Sequence, residues 1–401
     1  MGTNHLYLAS IAVALLAAAC SGGGGDAATS PPAISSGSSS ASSPSRASAS
    51  PDVRVDGPVF VDAAGDTVAL RGVAVHTLDP LTYQQAPALG VNFVRLAITW
   101  SDYEPTGPVD GVHHWDQARL ADLDAEIAYF NQHGIQVLLD LHQYGWSPYF
   151  ATLQRGGRAN GIPRWVYHGR RFPLTVAGRE QAQAAMYTDR RATQLYSDFA
   201  AMLAQRYREQ PNVIGYEILN EPPLGNLPRR TWAIQRIVRW QARVGAAVRA
   251  VDPQRAIVFM LPPRTDVRAL RLTPLERLGR IALDVHDYYA GTGKRYRTTL
   301  QGGDYRGTLA NQASYLAPMV SIARTWGIPL IVGEWGAFPG ERGVDRYQRQ
   351  MVTLFQQDGL SWSRWSLDRN ERLGLLTRAG QRTPAAVQLG RLLRSMPQQP
   401  G

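Results

Sequence analysis

Two glutamates, Glu221 and Glu334, follow short apolar runs. The first run reads I-G-Y-E-I-L-N-E-P-P over residues 214–223, and the second reads I-V-G-E-W-G over residues 331–336. A pair of carboxyl groups facing each other across a cleft can hydrolyse a glycosidic bond. One group must be protonated, to supply a proton to the leaving oxygen. The other must be ionised, to attack the anomeric carbon or to activate water. Taken singly, each glutamate could instead be a solvated strand-end charge or half of a salt bridge.

The residues beside Glu221 indicate how its side chain is presented. Pro222 and Pro223 have no backbone N–H to donate to a strand neighbour, so they end the strand and direct Glu221 outward. Asn220 carries an amide that could hydrogen-bond a sugar hydroxyl. The segment therefore predicts a strand that ends in a polar, outward-facing group.

The elements that must position these residues are short apolar runs separated by helical patterns. The runs are rich in β-branched residues and bounded by Gly or Pro, which favours strands over buried helix segments. Helical patterns lie at about 116–133, 190–209, 231–250, 311–326, 343–357 and 384–394. The eight predicted strands are Val68–His76, Val91–Ile98, Ile135–His142, Val213–Glu221, Ala256–Leu261, Ile281–Tyr288, Pro329–Trp335 and Leu360–Leu367.

Alternation of strands and helices predicts an α/β protein with a parallel sheet. Eight such strands are the number found in a single (β/α)₈ TIM barrel, and this is the predicted fold. A doubly wound open sheet is the alternative, although no G-x-G-x-x-G sequence follows the first strand. A short β-hairpin, with an Asp56-Gly57 turn signal, is predicted before the barrel.

Polar residues gather at the ends of the predicted strands. In a (β/α)₈ barrel the carboxyl ends of the strands meet at one mouth, where active sites lie. Seven of the eight strands carry such a group, and only the fifth lacks one. The residues are His76, Arg95, His142, Asn220, Glu221, His286, Tyr288, Glu334 and Trp365.

The charge and histidine content argue against two other kinds of site. The net charge is +10, but Lys294 is the only lysine and the arginines are spread along the sequence, which is unlike a nucleic-acid footprint. No nucleic-acid partner is predicted. The pair His113-His114 lies in a predicted loop and is expected at the surface. No metal or other cofactor is predicted.

The amino-terminal segment has the features of an export signal. An apolar run from Leu8 to Ala19 is too short to span a membrane, and Ala17-Ala18-Ala19 before Cys20 resembles a bacterial lipoprotein box. Residues 1–20 are therefore predicted to direct export, with lipidation at Cys20, and cleavage by the ordinary small-residue rule is the alternative. Residues 21–51 form a predicted disordered tether rich in Gly, Ser, Ala and Pro, and residues 52–401 the predicted catalytic domain.

The ordered runs along the chain resemble those of glycoside hydrolase family five, the cellulase family of clan A. They are V-N-F-V-R-L, L-L-D-L-H, Y-E-I-L-N-E-P, H-D-Y-Y, I-V-G-E-W-G and S-R-W-S-L, and the earlier L-R-G-V-A-V-H resembles the family's usual opening. The resemblance covers about Val59 to Ala386, which is most of the predicted domain.

This resemblance implies a retaining double displacement without a cofactor. Glu221 would be the general acid/base and Glu334 the nucleophile. Tyr288 and Arg95 would contact Glu334, and a neighbouring cation lowers a carboxyl pKa. Asn220 would contact the sugar 2-hydroxyl. The glycone subsite would be lined by His142 and His286 with Trp365 as its aromatic floor, and His76 would lie nearby.

The substrate class has two candidates. An endo-acting β-glucanase or cellulase-like activity suits the family at large and is the first expectation. A glycolipid is the alternative, because V-R-L-A-I-T-W-S-D-Y-E-P, L-D-L-H-Q and G-I-P-R-W resemble the endoglycoceramidase branch. That branch generally carries a β-sandwich after the barrel, and none is expected here before Gly401.

The long segment from Gln143 to Arg190 is expected to shape the substrate site, because long loops at this barrel face usually do so. Trp146, Tyr149, Trp165 and Tyr167 could stack on sugars, accept a lipid or pack the loop onto the barrel. A non-catalytic carbohydrate-binding lipoprotein is the remaining alternative, and the presence of both glutamates disfavours it. The protein is expected to be a monomer.

Overall fold

The computed structural model describes most of the predicted catalytic domain. It covers residues 52–76, 78–154, 157–167, 172–229, 231–262, 265, 270–290, 298–369 and 371–396. The export signal, Cys20 and the tether lie outside the described residues, so those predictions remain predictions. Within these ranges, no helix has both the length and the apolar character needed to cross a lipid bilayer.

The predicted hairpin and barrel are both confirmed. Strands β1 (Arg54–Asp56) and β2 (Val59–Val61) form an antiparallel pair before the barrel. Eight parallel strands then close into a barrel in chain order, with β10 pairing back to β3. The barrel strands are β3 (Arg71–Val75), β4 (Phe93–Ile98), β5 (Gln136–Leu141), β6 (Val213–Glu217), β7 (Ala256–Met260), β8 (Ile281–Asp287), β9 (Leu330–Trp335) and β10 (Ser361–Arg364).

Helices surround the barrel, and the six predicted helical patterns are all present. The helices are α1 (Pro80–Tyr83), α2 (Trp100–Tyr103), α3 (Gln117–Gln132), α4 (Val176–Met186), α5 (Arg190–Tyr207), α6 (Thr231–Val251), α7 (Thr273–Glu276), α8 (Leu309–Trp326), α9 (Val344–Asp358) and α10 (Pro384–Ser395). Helix α4 was not predicted, because its buried positions are mainly glycine and alanine, which give a weak apolar period.

Side-chain caps fix where several of the longer helices begin. The carboxylates of Asp116 and Asp189 accept backbone N–H bonds in the first turns of α3 and α5. The hydroxyls of Thr308 and Thr383 do the same for α8 and α10. Such caps satisfy N–H groups that have no partner inside the helix, so each helix starts at a defined distance from the preceding strand.

The barrel interior is apolar at its amino-terminal end and charged towards its mouth. Phe93 packs in the lower interior with Val53 and Phe60 of the hairpin segment, which therefore covers this end of the barrel. Two residues further along β4, Arg95 is completely buried. Because side chains alternate along a strand, Phe93 and Arg95 both point inward. The hairpin thus closes the end away from the site.

Candidate functional site

Glu221 lies just beyond β6 in a left-handed backbone conformation. Its φ is +41°, which is uncommon for a residue other than glycine. Its backbone N–H donates to Sδ of Met260 at 3.3 Å, and Nε2 of Gln143 donates to its carbonyl at 3.3 Å. Pro222 follows without an N–H of its own. These contacts hold a strained turn that presents the half-buried Glu221 carboxyl group at the mouth.

Glu334 lies near the end of β9, buried and contacted from three sides. The Tyr288 hydroxyl donates to Oε2 at 2.8 Å, and Nη1 of Arg95 donates to Oε1 at 3.1 Å. Nδ1 of His286 lies 3.4 Å from Oε2. The preceding Gly333 lies so close to Asp284 that an added Cβ would sit 2.0 Å from the carboxylate Oδ2. Glycine at this position therefore permits the strand to approach the charged interior.

The imidazole of His286 lies between the two glutamates. Its Nδ1 is 2.9 Å from Oε1 of Glu221, and one carboxylate oxygen of each glutamate lies within 4.8 Å of the other. Burial lowers the pKa of His286 to about 4, so the ring is neutral at neutral pH and carries one N–H. The strands that carry Glu221 and Glu334 thus bring two carboxyl groups from distant parts of the sequence to the same cleft.

Arg95 links four acidic side chains inside the barrel. Its guanidinium donates to both oxygens of Glu217, at 2.8 and 2.9 Å, in addition to Glu334. It also lies 3.0 Å from the Asp140 carboxylate and 3.4 Å from that of Asp284. Sequence analysis did not identify Glu217, Asp140 or Asp284 as part of the site. The sequence feature that could have identified them is an acidic residue at an inward-facing position of an otherwise apolar strand.

One arginine cannot neutralise four buried carboxylates, and burial raises the pKa of two of these acids. Burial raises the pKa of Asp284 well above its usual value, and the nearby Glu217 carboxylate raises it further. Burial also raises the pKa of Asp140 to about 6, although Arg95 opposes the shift. In return, the charges of Asp140, Glu217 and Glu334 raise the pKa of Arg95 despite its burial, so the guanidinium stays charged.

The net shift at Glu334 differs from what its neighbours alone would give. His286, Arg95 and the Tyr288 hydroxyl all lower its pKa, as was expected for the arginine. Burial is the larger effect, however, and the Glu334 pKa is raised to about 7. The expected effect of the neighbouring cation is therefore present, but burial outweighs it, and the extent of burial could not be read from the sequence.

One wall of the site is aromatic. The His142 ring stacks on Trp365, with centroids 5.3 Å apart and planes 12° from parallel. The half-buried His76 ring lies 5.7 Å from His142 and 6.4 Å from Trp365, and its Nε2 contacts the Asn160 amide at 3.0 Å. Nδ1 of His142 lies 2.7 Å from Asp140. The three predicted residues therefore form a single cluster.

Asn220 is buried and already bonded to protein on both sides of its amide. Its Oδ1 accepts from Arg95 at 2.9 Å, and its Nδ2 donates to the Gln143 carbonyl at 3.1 Å. One amide hydrogen is left for a ligand, since the group has two. Gln143, which sequence analysis did not assign to the site, thus supports both Asn220 and Glu221.

The aromatic residues of the long segment mostly pack against the protein. Trp146 is fully buried and donates to the Tyr167 hydroxyl at 3.0 Å. Trp165 donates to the Glu104 carbonyl at 2.7 Å and packs edge-on against Trp100. Tyr149 differs, because 40% of its surface is exposed. Three of the four aromatic residues therefore shape the loop, and one remains open to solvent.

Some of the acids and histidines lie close enough together to hold a metal ion. Glu217, Asp284 and His286 form one such group, and Glu221, His286 and Glu334 form another. Arg95 contacts an acid of each group, and its fixed positive charge opposes a divalent cation there. Of the histidine pair predicted at the surface, His114 is exposed, whereas His113 is half-buried: its ring stacks on Trp115 and its Nδ1 lies 2.6 Å from the buried Glu104.

Comparisons with known proteins agree with this architecture. The chain is 29% identical over 198 residues to Endoglycoceramidase I of Rhodococcus hoagii (strain 103S), a match that covers 42% of this chain and 37% of that relative. The chain therefore spans well under half the length of this curated relative.

Solved structures show the same fold. A crystal structure of endogalactoceramidase has a TM-score of 0.70 at 23% identity, covering 86% of this chain and 84% of the other. The β-glucanase SdGluc5_26A from Saccharophagus degradans has a TM-score of 0.61 at 19% identity, covering 86% and 93%. The family model described as Cellulase (glycosyl hydrolase family 5) matches residues 61–371. With this match over most of the barrel, the chain belongs to glycosyl hydrolase family 5.

Proposed function

We propose that the protein is a retaining β-glycosidase in which Glu334 is the nucleophile and Glu221 the general acid/base. The observation that carries this proposal is the short separation of the two carboxyl groups, whose nearest oxygens lie within 4.8 Å. Retaining enzymes hold their carboxyl groups about 5 Å apart, whereas inverting enzymes leave room for a water between them.

The two steps follow from this geometry. A Glu334 oxygen attacks the anomeric carbon as the glycosidic C–O bond breaks, and Glu221 transfers its proton to the leaving oxygen. In the second step Glu221 removes a proton from water, the water oxygen attacks the anomeric carbon, and the bond to Glu334 breaks. Glu334 must be ionised to attack, and the Arg95 and Tyr288 contacts favour that form.

The remaining site residues fit a sugar-binding role. The stacked pair of His142 and Trp365 offers a flat face for the C–H surface of a sugar ring, with His76 beside it. Asn220 is held by Arg95 so that its free amide hydrogen can reach a sugar hydroxyl. His286 lies between the carboxyl groups and fixes their relative position.

For the substrate, we favour a β-linked glycolipid over a polysaccharide. The support is the curated relative named as an endoglycoceramidase together with the sequence runs that resemble that branch. A β-glucan is the second candidate, supported by the cellulase family model and by the sequence patterns of the family at large. We also propose that the protein is exported, tethered through a lipid at Cys20, and monomeric.

Product stereochemistry tests the mechanism. The first-formed product of a β-linked substrate, followed by proton NMR before mutarotation, should be the β-anomer. Glu334→Gln should abolish its formation, whereas Glu276→Gln, on an exposed position of α7, should not. An α-anomer as the first product would refute the retaining mechanism.

A side-by-side substrate panel tests the choice of substrate. The enzyme would be given β-glucosylceramide in detergent micelles, soluble β-1,4-glucan and β-mannan, with Glu334→Gln as the blank. Release of sugar from the ceramide alone would support the glycolipid proposal. Cleavage of a polysaccharide with no action on the lipid would replace it with the glucanase candidate.

A further inference from the structure

A basic groove lies outside the catalytic cleft, between helices α6 and α7. It has a volume of about 810 Å³, and its lining includes Trp232, Gln235, Arg239, Arg271, Thr273 and Arg277. The two sides are joined by paired bonds, since Gln235 donates to the Arg271 carbonyl at 2.7 Å and accepts from the Arg271 N–H at 3.0 Å. This α6–α7 groove is therefore a built feature of the barrel wall.

The described lining of the α6–α7 groove is basic. Arg239, Arg271 and Arg277 are exposed, and among the described residues no acidic side chain lines the groove and none forms an ion pair with these three arginines. Helix α6 carries Arg236, Arg239, Arg243 and Arg249 over 21 residues without an aspartate or glutamate. The expectation that the arginines are only scattered does not hold for α6, because spacings of three and four residues bring Arg236, Arg239 and Arg243 to one face of this helix.

An exposed tryptophan stands at the mouth end of this basic surface. Trp232 is 51% exposed in the first turn of α6, which begins ten residues after Glu221. A helix that follows a barrel strand starts at the mouth. Six of the eight exposed large hydrophobic side chains in the described ranges follow β4, β5 or β6, on this same face: Val109, Val112, Tyr149, Leu174, Val176 and Trp232.

We propose that the α6–α7 groove binds the phosphate headgroups of an anionic phospholipid bilayer and so holds the barrel mouth at the membrane surface. Guanidinium groups bind phosphate oxygens through paired N–H donors, and three of them converge on the groove. Tryptophan favours the headgroup region, where its ring is half immersed. The proposal goes beyond the glycosidase activity and holds for either candidate substrate.

Vesicle binding tests the proposal without any enzymatic step. The full chain carrying Cys20→Ser, which removes the proposed lipidation site, would be sedimented with phosphatidylcholine vesicles that contain or lack phosphatidylglycerol. The triple variant Arg239→Gln, Arg271→Gln and Arg277→Gln is compared with its parent. Each arginine near an anionic surface adds to the free energy of membrane binding. Loss of all three is expected to weaken vesicle binding about 100-fold.

A charge-matched variant serves as the control. Arg349→Gln, Arg378→Gln and Arg391→Gln remove three exposed charges in and around α9 and α10, across the barrel from α6. This control should bind the vesicles as the parent does. Trp232→Ala, in contrast, should bind them more weakly than the parent. All variants should hydrolyse a soluble aryl glycoside at the parental rate, which verifies folding.

Three outcomes would overturn the proposal. These are equal loss of binding in both triple variants, binding that does not depend on phosphatidylglycerol, and tighter binding to single-stranded RNA that depends on the same three arginines. The last result would identify the groove as a nucleic-acid site. Since the vesicles contain no glycolipid, failure here would leave the proposed glycosidase function untouched.

Discussion

Replacing Tyr288 by phenylalanine should shift the pH dependence of the enzyme to higher pH. The Tyr288 hydroxyl donates to Oε2 of Glu334 at 2.8 Å and favours the ionised carboxylate. Phenylalanine keeps the ring and removes only this bond. The Glu334 pKa should therefore rise from its present value of about 7. The proposed nucleophile must be ionised. As the pH is lowered, the variant should therefore lose activity at a higher pH than the parent enzyme does.

The size of the shift follows from the strength of the bond. A hydrogen bond to a charged group contributes about 1.5–3 kcal/mol, and one pKa unit corresponds to about 1.4 kcal/mol. The acidic limb of kcat/KM should thus move up by about 1–2 units. At pH values below the acidic limb, kcat/KM of the variant should be about 10–100-fold lower than that of the parent. At pH values well above the limb, the kcat/KM values of variant and parent should converge.

The assay is a pH profile of kcat/KM for an activated aryl β-glycoside. Such a leaving group needs little protonation, so Glu221 contributes little to the profile. Tyr347→Phe is the matched control, because this buried tyrosine donates to the Asp287 carbonyl and does not contact Glu334. A uniform loss of rate at all pH values, with the acidic limb unmoved, would refute the reasoning.

Three further predictions concern the nucleophile, a close contact and a buried acid. Azide should rescue Glu334→Gly with an activated substrate and give a glycosyl azide of inverted configuration; a retained configuration would exclude Glu334 as nucleophile. Gly333→Ala should cost about 1–3 kcal/mol in thermal unfolding. Its Cβ would meet the Asp284 carboxylate, whereas Gly340→Ala, with nothing within 4 Å, should be neutral. Glu126→Gln should stabilise the fold against urea at neutral pH but not below pH ~4. Burial raises the pKa of this carboxyl group, which has no hydrogen-bond partner among the described residues, so the parent loses stability as pH rises. A gain independent of pH would contradict this.

The order of strands and helices was predictable because it rests on local patterns. Short β-branched runs bounded by Gly or Pro gave all eight barrel strands to within a few residues. Helix α4 was missed since small residues fill its buried face. The gathering of polar residues at the strand ends was predictable once the barrel was predicted, because the parallel strands of a barrel end at one mouth.

The sequence alone thus determined the barrel, the family resemblance and the pair of glutamates, since these depend on residue types at short spacing. Tertiary structure decided which charges meet. Arg95 and Glu334 are 239 positions apart, and only barrel closure makes them neighbours. Burial then sets the Glu334 pKa, an effect that no local pattern carries. In the same way, packing of α7 against α6 gathered Arg239, Arg271 and Arg277 into one groove.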